Sequence, residues 1–396
     1  MVCFKPMTVW KQTKADLDIP PRDYYELKKV SFHEIKGREK IEIPCGHCLG
    51  CRLDHASMWA TRITLEAKNW KKCCFVTLSY NTKNLPLKEI KTDFQGYETH
   101  KIVKCGKETK DITTEEYERR TLNKKDLADF MKRLRFHEEG IEEWKNPRTG
   151  KIEKPIRFFA CGEYGPNGGR PHYHMAIFNW EPDDLKVYKK YTDKNGKLIT
   201  LFQSEKLQRI WGNGFVVIEE LNFNTASYIA RYVQKKAGIN PQKREYTGEI
   251  SIKEKIDERN GQPFTQYTRK IKAQKTLREP EFINMSRAVG IGKLYWIQNK
   301  EKIKRNKGVM LKVENKVKLK PIPRYFQKLW EQENWEEYVR FKYENTKNGE
   351  RTKAEIISRV SLPDGTTDEI KYEFYLSQQF KILKDKAKYL KRNNFI

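Results

Sequence analysis

Hydrophobic and polar positions fall into two periods over residues 1–240. Cys73 to Tyr80, Ile156 to Tyr164, His172 to Phe178 and Gly214 to Leu221 are mostly aliphatic or aromatic and read as strands. Gly168-Gly169 and Pro171 punctuate the front of the third run. Three other stretches have the helical period. Ala56, Trp59, Ala60, Ile63, Ala67 and Trp70 form one stripe, with Arg52, Arg62, Lys68, Lys71 and Lys72 mostly off it. Leu127, Phe130, Met131 and Leu134 form a second, with Asn123 as cap and Gly140 as stop. Ala226, Ile229, Ala230, Val233 and Ala237 form a third, between Asn224 and Gly238. Ser204 to Trp211 adds a short helix. The resulting order, β-α-β-β-(α)-β-α, predicts the α+β class: a mainly antiparallel sheet with helices on one face.

The remaining segments are more polar. Residues 1–44 have little periodicity, and Pro20-Pro21 breaks them. Residues 81–120 read as a surface insertion, and 181–203 as a lysine-rich one with a hairpin signal at Asn195-Gly196. Beyond 240, Lys and Arg dominate and catalytic groupings are absent, which predicts a basic C-terminal accessory region over 241–396 after a first domain over 1–240. Leu311 to Leu319 reads as a hairpin, and Trp330 to Tyr338 and Leu376 to Leu390 as helices. Gly290-Ile291-Gly292-Lys293-Leu294 is not a P-loop, because the leading Gly and the Ser/Thr after Lys are missing.

Charge narrows the partners. Of 396 residues, 80 are Lys or Arg against 53 acids, a net +27, which points to a polyanion. Aromatics make up 12 % and many lie among the basic residues, a mixture suited to single strands, where bases stack on rings and phosphates meet cations. A lysine-rich surface that is merely soluble explains the charge alone, not the motifs below. No apolar run is long enough to span a membrane, and no apolar signal segment opens the chain, so the expected compartment is reducing and cytoplasmic. Its eight cysteines are accordingly not read as disulfides.

Two stretches carry candidate chemistry. On a strand, His172 and His174 share a face, roughly 6.5–7 Å apart, and two neutral imidazoles so placed can share a divalent metal. The alternative is a pair of core histidines. Glu163 ends the preceding strand, where its carboxylate can reach the same metal if the two strands are neighbours; otherwise it is a surface residue beside a turn. Tyr228 and Tyr232 sit four apart on the third helix, about 5–6 Å between Cβ atoms, on the side opposite the apolar stripe and beside Lys235 and Lys236. Phenols flanked by lysines suit attack on a phosphate, with the lysines favouring phenolate and the charged transition state; interfacial packing is the competing role.

A third stretch, Cys45-Gly46-His47-Cys48-Leu49-Gly50-Cys51, has spacing that suggests thiolate ligation. Structural zinc on Cys45, Cys48 and Cys51, unligated thiols and an iron–sulfur cluster are the readings. His55, Cys3, Cys73, Cys74 and Cys105 are all available as a fourth ligand.

Taken together, the His-x-His strand and the Tyr-x3-Tyr helix resemble the HUH endonucleases of the two-tyrosine, rolling-circle class. Arg170-Pro171-His172-Tyr173-His174 and Tyr228-Ile229-Ala230-Arg231-Tyr232-Val233 are similar to the replication initiation proteins of microviruses, the gokushovirus branch in particular, and Phe75-Val76-Thr77-Leu78-Ser79-Tyr80 matches that family's first motif. The likeness covers roughly residues 40 to 240. It implies a ferredoxin-like or RRM-like sheet, Mg²⁺ or Mn²⁺ on His172, His174 and a third ligand near Glu163, and a tyrosine that nicks single-stranded or origin DNA to leave a 5′-phosphotyrosine and a free 3′-OH. It also implies a host helicase and polymerase as partners, the bacterial cytoplasm as the location, and support for the cysteine cluster.

Three rival classes remain. A zinc nucleobase deaminase needs His-x-Glu before Pro-Cys-x-x-Cys, but His137-Glu138-Glu139 follows Pro44-Cys45-Gly46-His47-Cys48 by about 90 residues. A non-catalytic nucleic-acid-binding protein explains the charge but neither the histidines nor the tyrosines. A relaxase or transposase of the same superfamily shares the chemistry and lacks the local wording.

Overall fold

The computed structural model describes residues 3–11, 30–33, 36, 40–92, 98–109, 111–113, 116, 118–165, 169–192, 196, 198–236, 246–256, 263–273, 278–313 and 316–389. For 11, 30, 41, 90–92, 98, 99, 232–236, 246–256, 263–273 and 385–389 only the backbone is described.

Seven strands form one antiparallel sheet: β1 (Cys73–Tyr80), β2 (Arg157–Tyr164), β3 (Pro171–Phe178), β4 (Lys186–Thr192), β5 (Leu198–Gln203), β6 (Gly214–Glu220) and β7 (Phe282–Met285). Their order across the sheet is β4-β5-β6-β1-β3-β2-β7. Helix α1 (Leu49–Ala67) precedes β1, α2 (Lys124–His137) lies between β1 and β2, α3 (Glu205–Trp211) leads into β6, and α4 (Phe223–Lys236) follows it. The central four strands therefore carry the order β6-β1-β3-β2 with helical crossovers α2 and α3. The β4–β5 hairpin widens one edge and β7 the other.

Strand β3 is buried along its whole length and divides the core by parity. Tyr173, Met175 and Ile177 face a cluster with Leu127, Phe130 and Leu134 of α2 and Leu207 and Trp211 of α3. Ala176 and Phe178 face a cluster with Ala56, Ala60 and Ile63 of α1 and Ala226, Ile229 and Ala230 of α4. The expectation of helices on one face holds only for the two crossover helices. Helices cover both faces, because the helix before β1 and the helix after β6 fold onto the side that the crossovers leave open. Phe75, Phe159 and Phe178 are buried there, each stabilising by about 1.5–3 kcal/mol.

The crossover face is closed by satisfied polar groups. The Tyr80 hydroxyl donates to Asp126 Oδ2 at 2.7 Å, and the Tyr173 hydroxyl donates to the Asn123 carbonyl at 2.8 Å. Burial pushes both phenols up, so Tyr80 and Tyr173 stay neutral and structural. Asn123 also caps α2, its side chain accepting from the Lys125 amide. The helix stops at His137, short of Gly140. Asn222, rather than Asn224, caps α4, accepting from the amides of Asn224 and Thr225 at 2.9 and 3.1 Å. Gly238 lies outside the described residues.

The insertion over 81–120 is less superficial than its polarity suggests: Leu85 and Leu87 enter the crossover-face core. The expected boundary at 240 cuts through the sheet, since β7 pairs with β2. Beyond β7 come α5 (Lys293–Arg305), the hairpin Val309–Val313 with Lys316–Lys320, α6 (Arg324–Glu333), α7 (Trp335–Arg359) and α8 (Asp368–Tyr389). Trp296, Ile303, Leu311, Phe326 and Trp330 form a further core that takes in Leu65 of α1. The helix expected over Trp330 to Tyr338 is interrupted at Asn334, whose side chain accepts from the Glu337 amide to start α7.

Candidate metal and nucleophile site

Strand register builds the site. Glu163 on β2 lies directly opposite His172 on β3, and Thr77 on β1 lies opposite His174. Directly paired residues share a face, so Glu163, His172, His174 and Thr77 all project toward α1 and α4. The three candidate ligands are 2 %, 7 % and 6 % exposed. Their donor atoms lie within 4.8 Å of one another. Both imidazole Nε2 atoms lie 2.7 Å from the same carboxylate oxygen, Glu163 Oε1.

The far side of each ring is also engaged. His172 Nδ1 lies 3.1 Å from the Arg170 carbonyl oxygen, and His174 Nδ1 lies 2.9 Å from Thr77 Oγ1. A carbonyl oxygen only accepts, so His172 Nδ1 carries the proton. In the neutral ring Nε2 then presents a lone pair toward a carboxylate oxygen. Two protonation patterns satisfy that contact: an imidazolium, or a cation shared by the lone pairs and the carboxylate. The second is the familiar arrangement of ligating histidines held by outer hydrogen bonds. Two imidazoles and one carboxylate form a mixed donor set that suits a divalent ion of intermediate hardness. Burial pushes the Glu163 carboxyl up, but hydrogen bonds and charge from His172 and His174 outweigh it and hold it at about 2.

Tyr228 enters the same point from α4. Its hydroxyl donates to Glu163 Oε1 at 2.9 Å, and its ring meets His174 edge-on at 4.8 Å between centroids. Tyr228 is 5 % exposed and belongs to the α1–α4 core. That overturns its expected place on the solvent side of the helix. The reason is packing on two sides: α4 lies between α1 and the sheet, so a residue opposite the alanine stripe is buried against β2 and β3. Tyr232, Lys235 and Lys236 follow on the helical backbone, but their side chains lie outside the described residues.

Several residues at the site carry no signal in the sequence taken alone. Thr77 is one, since only strand pairing brings it to His174. Arg231 is another: its guanidinium lies 5.4 Å from the centre of the Tyr228 ring, the i,i+3 neighbour that helical spacing offers. Phe215 is a third. It pairs with Ser79, which pairs with His172, so it stands in the row of the ligands on the same face, and it is 56 % exposed.

The cysteine stretch is brought together elsewhere. Cys45, Cys48 and Cys51 converge with Cys3, which answers the open question of the fourth position. His55 is not in that group, and Cys73, Cys74 and Cys105 lie on or after β1.

Residues 73–237 match the family of replication-associated proteins described by ORF2. The replication-associated protein ORF2 of Spiroplasma virus 4 is 28 % identical over 378 residues, which cover 94 % of each chain. The chain belongs with the replication-associated proteins of microviruses. Replication-associated protein VP4 of Bdellovibrio phage phiMH2K is 28 % identical over 248 residues, 62 % of each chain. Replication-associated protein ORF4 of Chlamydia phage 1 is 24 % identical over 242 residues, 59 % of this chain and 50 % of that one. No solved structure matches. The family match begins at the first residue of β1 and ends just past α4, so it spans every element that brings a residue to the histidine–tyrosine site. No helix among the described residues is long and apolar enough to cross a membrane.

Proposed function

We propose that this replication-associated chain is a rolling-circle initiator of the HUH, two-tyrosine type, which nicks single-stranded or origin DNA and later rejoins it. One observation carries the reading: the Tyr228 hydroxyl meets the two histidines at a single carboxylate oxygen. A structural tyrosine needs any buried acceptor; a nucleophile needs this one. The central strand order β6-β1-β3-β2 with two crossover helices supports a ferredoxin-like nuclease core.

His172, His174 and Glu163 would hold the ion. A bound Mg²⁺ or Mn²⁺ supplies positive charge at the scissile phosphate and favours ionisation of a nearby phenol. The protein does the rest. Glu163 Oε1 orients the Tyr228 hydroxyl. It is too weak a base to take the proton outright, because a carboxyl at about 2 lies below a phenol near 10 by on the order of 10 kcal/mol. Arg231 beside the ring adds positive charge that favours phenolate. The Tyr228 oxygen attacks phosphorus in line, the P–O3′ bond breaks, and the 3′ oxygen leaves and takes up a proton. The products are a 5′-phosphotyrosine and a free 3′-OH, which a host polymerase extends behind a host helicase in the bacterial cytoplasm. Tyr232, one turn further on, cuts the regenerated site while Tyr228 is occupied, with Lys235 and Lys236 as further cations. Attack by a 3′-OH on the phosphotyrosine then closes a circle and releases the phenol.

The test is incubation with circular single-stranded DNA and Mn²⁺, followed by a denaturing gel and peptide mapping. The native chain is expected to carry DNA on Tyr228, and EDTA to abolish the adduct. Tyr228→Phe should carry it on Tyr232 alone and accumulate protein-bound linear strands. Closed circles released by Tyr228→Phe at the native rate would remove Tyr228 from the chemistry. Adduct formation in EDTA would remove the metal.

A further inference from the structure

Four sulfur atoms converge where the N-terminal segment meets the start of α1. Cys3 Sγ lies 3.7 Å from Cys45 Sγ and 3.8 Å from Cys48 Sγ, and all four thiols, Cys51 included, lie within 4.8 Å of one another. A disulfide would bring two sulfurs to about 2.05 Å, so these are free thiols held in a group. A tetrahedron with zinc–sulfur bonds of about 2.3 Å has edges of about 3.8 Å. The two shortest separations are those edges. An iron–sulfur cluster, in which each cysteine binds a different iron, would hold its sulfurs farther apart.

The backbone is arranged for thiolates as well. The Cys48 amide donates to Cys45 Sγ at 3.3 Å, the Cys45 amide to Cys3 Sγ at 3.3 Å, and the Phe4 amide to Cys48 Sγ at 3.4 Å. Amides aimed at sulfur stabilise negative charge there. The turn that brings the Cys48 amide round to Cys45 passes through Gly46 at φ +76°, a conformation that side chains resist. Cys48 is also the N-cap of α1, and its side chain makes no cap hydrogen bond. Its sulfur is thus left to the group, at the helix end that favours anions.

We propose that Cys3, Cys45, Cys48 and Cys51 form a tetrathiolate zinc site that staples the N-terminal segment to α1. Four soft sulfur donors select zinc over the hard ions suited to the histidine site. The staple has a mechanical consequence. Ala56 and Ala60 of α1 pack on the face that carries Tyr228, so fixing the start of α1 fixes one wall of that core. Phe4, next to Cys3, packs edge-on against Phe380 of α8 at 5.3 Å, which joins the C-terminal helix to the same node.

The experiment reads metal content and thiol accessibility, not nicking, so it stands apart from the nuclease reading. Full-length chain purified without chelator is expected to hold about one zinc, retained in the His172→Ala, His174→Ala double variant and lost in Cys3→Ser. In the native chain, four thiols should resist alkylation until a zinc chelator is added. Cobalt substitution should give the charge-transfer spectrum of a tetrahedral thiolate site, a readout that needs no variant to fold. Iron in place of zinc, no metal with all eight thiols reactive from the start, or full zinc in a folded Cys3→Ser protein would each overturn the assignment.

Discussion

His174 is held on every side. Thr77 Oγ1 meets its Nδ1 at 2.9 Å, the Phe75 ring stacks on it at 5.6 Å, and the Tyr228 ring closes its edge at 4.8 Å. An imidazole so confined presents Nε2 in one direction, which is what an outer hydrogen bond does for a metal ligand. Thr77→Val keeps the shape and removes the hydroxyl. It should weaken Mn²⁺ binding about 10- to 100-fold, measured by paramagnetic-resonance titration in the absence of DNA, while Thr77→Ser stays close to native. Equal affinities for the native and Val proteins would reduce Thr77 to a packing residue. The contrast with His174 also shows what a sequence can reveal at this scale. His172, His174 and Glu163 are legible because strand parity and a turn between two strands place them locally. Thr77 is not, because it meets His174 across 97 positions of chain.

At the scale of elements, β6 decides how a strand of DNA can approach. One face of β6 is buried through Val216 and Ile218. The other carries Phe215, exposed, and Val217, half-exposed, beside Ser79 and Thr77 of β1. Phe215 stands two strands from His172, about 9–10 Å by strand spacing, a distance over which a nucleotide next to the scissile phosphate can lay its base on the ring. Phe215→Ala is expected to weaken single-strand binding by about 1–3 kcal/mol, the usual value of one base stacked on an aromatic side chain. Phe215→Trp should preserve it. Anisotropy titrations in EDTA at fixed salt keep cleavage out of the measurement, and an Ala variant with native affinity would count against the platform. The period of the sequence locates β6 and α4, yet it does not say that α4 packs on two sides. Helical periodicity reports one apolar stripe, so a tyrosine opposite that stripe reads as exposed although the sheet lies there.

The whole molecule is joined through one buried ion pair. Arg157 at the start of β2 meets Glu66 of α1, its Nε 2.7 Å from Glu66 Oε1, with both side chains almost wholly buried. The remaining bonds reach past β7: Arg157 Nη2 donates to the Val289 carbonyl at 2.7 Å, and the Gly292 amide donates to Glu66 Oε2 at 2.6 Å. Gly292, at φ +82°, then starts α5. The segment Met285 to Gly292, whose glycine spacing fits no phosphate-binding loop, is thus the joint between the sheet and the C-terminal helices. A boundary near 240 looks natural in the sequence because lysine and arginine dominate beyond it and Phe282–Met285 is too short to register as a strand. Its partner strand lies more than a hundred residues earlier. Removing half of a buried pair leaves the other charge without compensation, at a cost of about 3–5 kcal/mol. Glu66→Ala should therefore lower the urea midpoint sharply, whereas Glu66→Leu with Arg157→Met, which removes both charges, should cost much less. If the joint matters beyond stability, the single variant should also expose the chain to protease near 285–292 before the β1–β3 core is cut. Cleavage that begins in the core at the same denaturant concentration would show that the pair stabilises the fold without coupling its two ends.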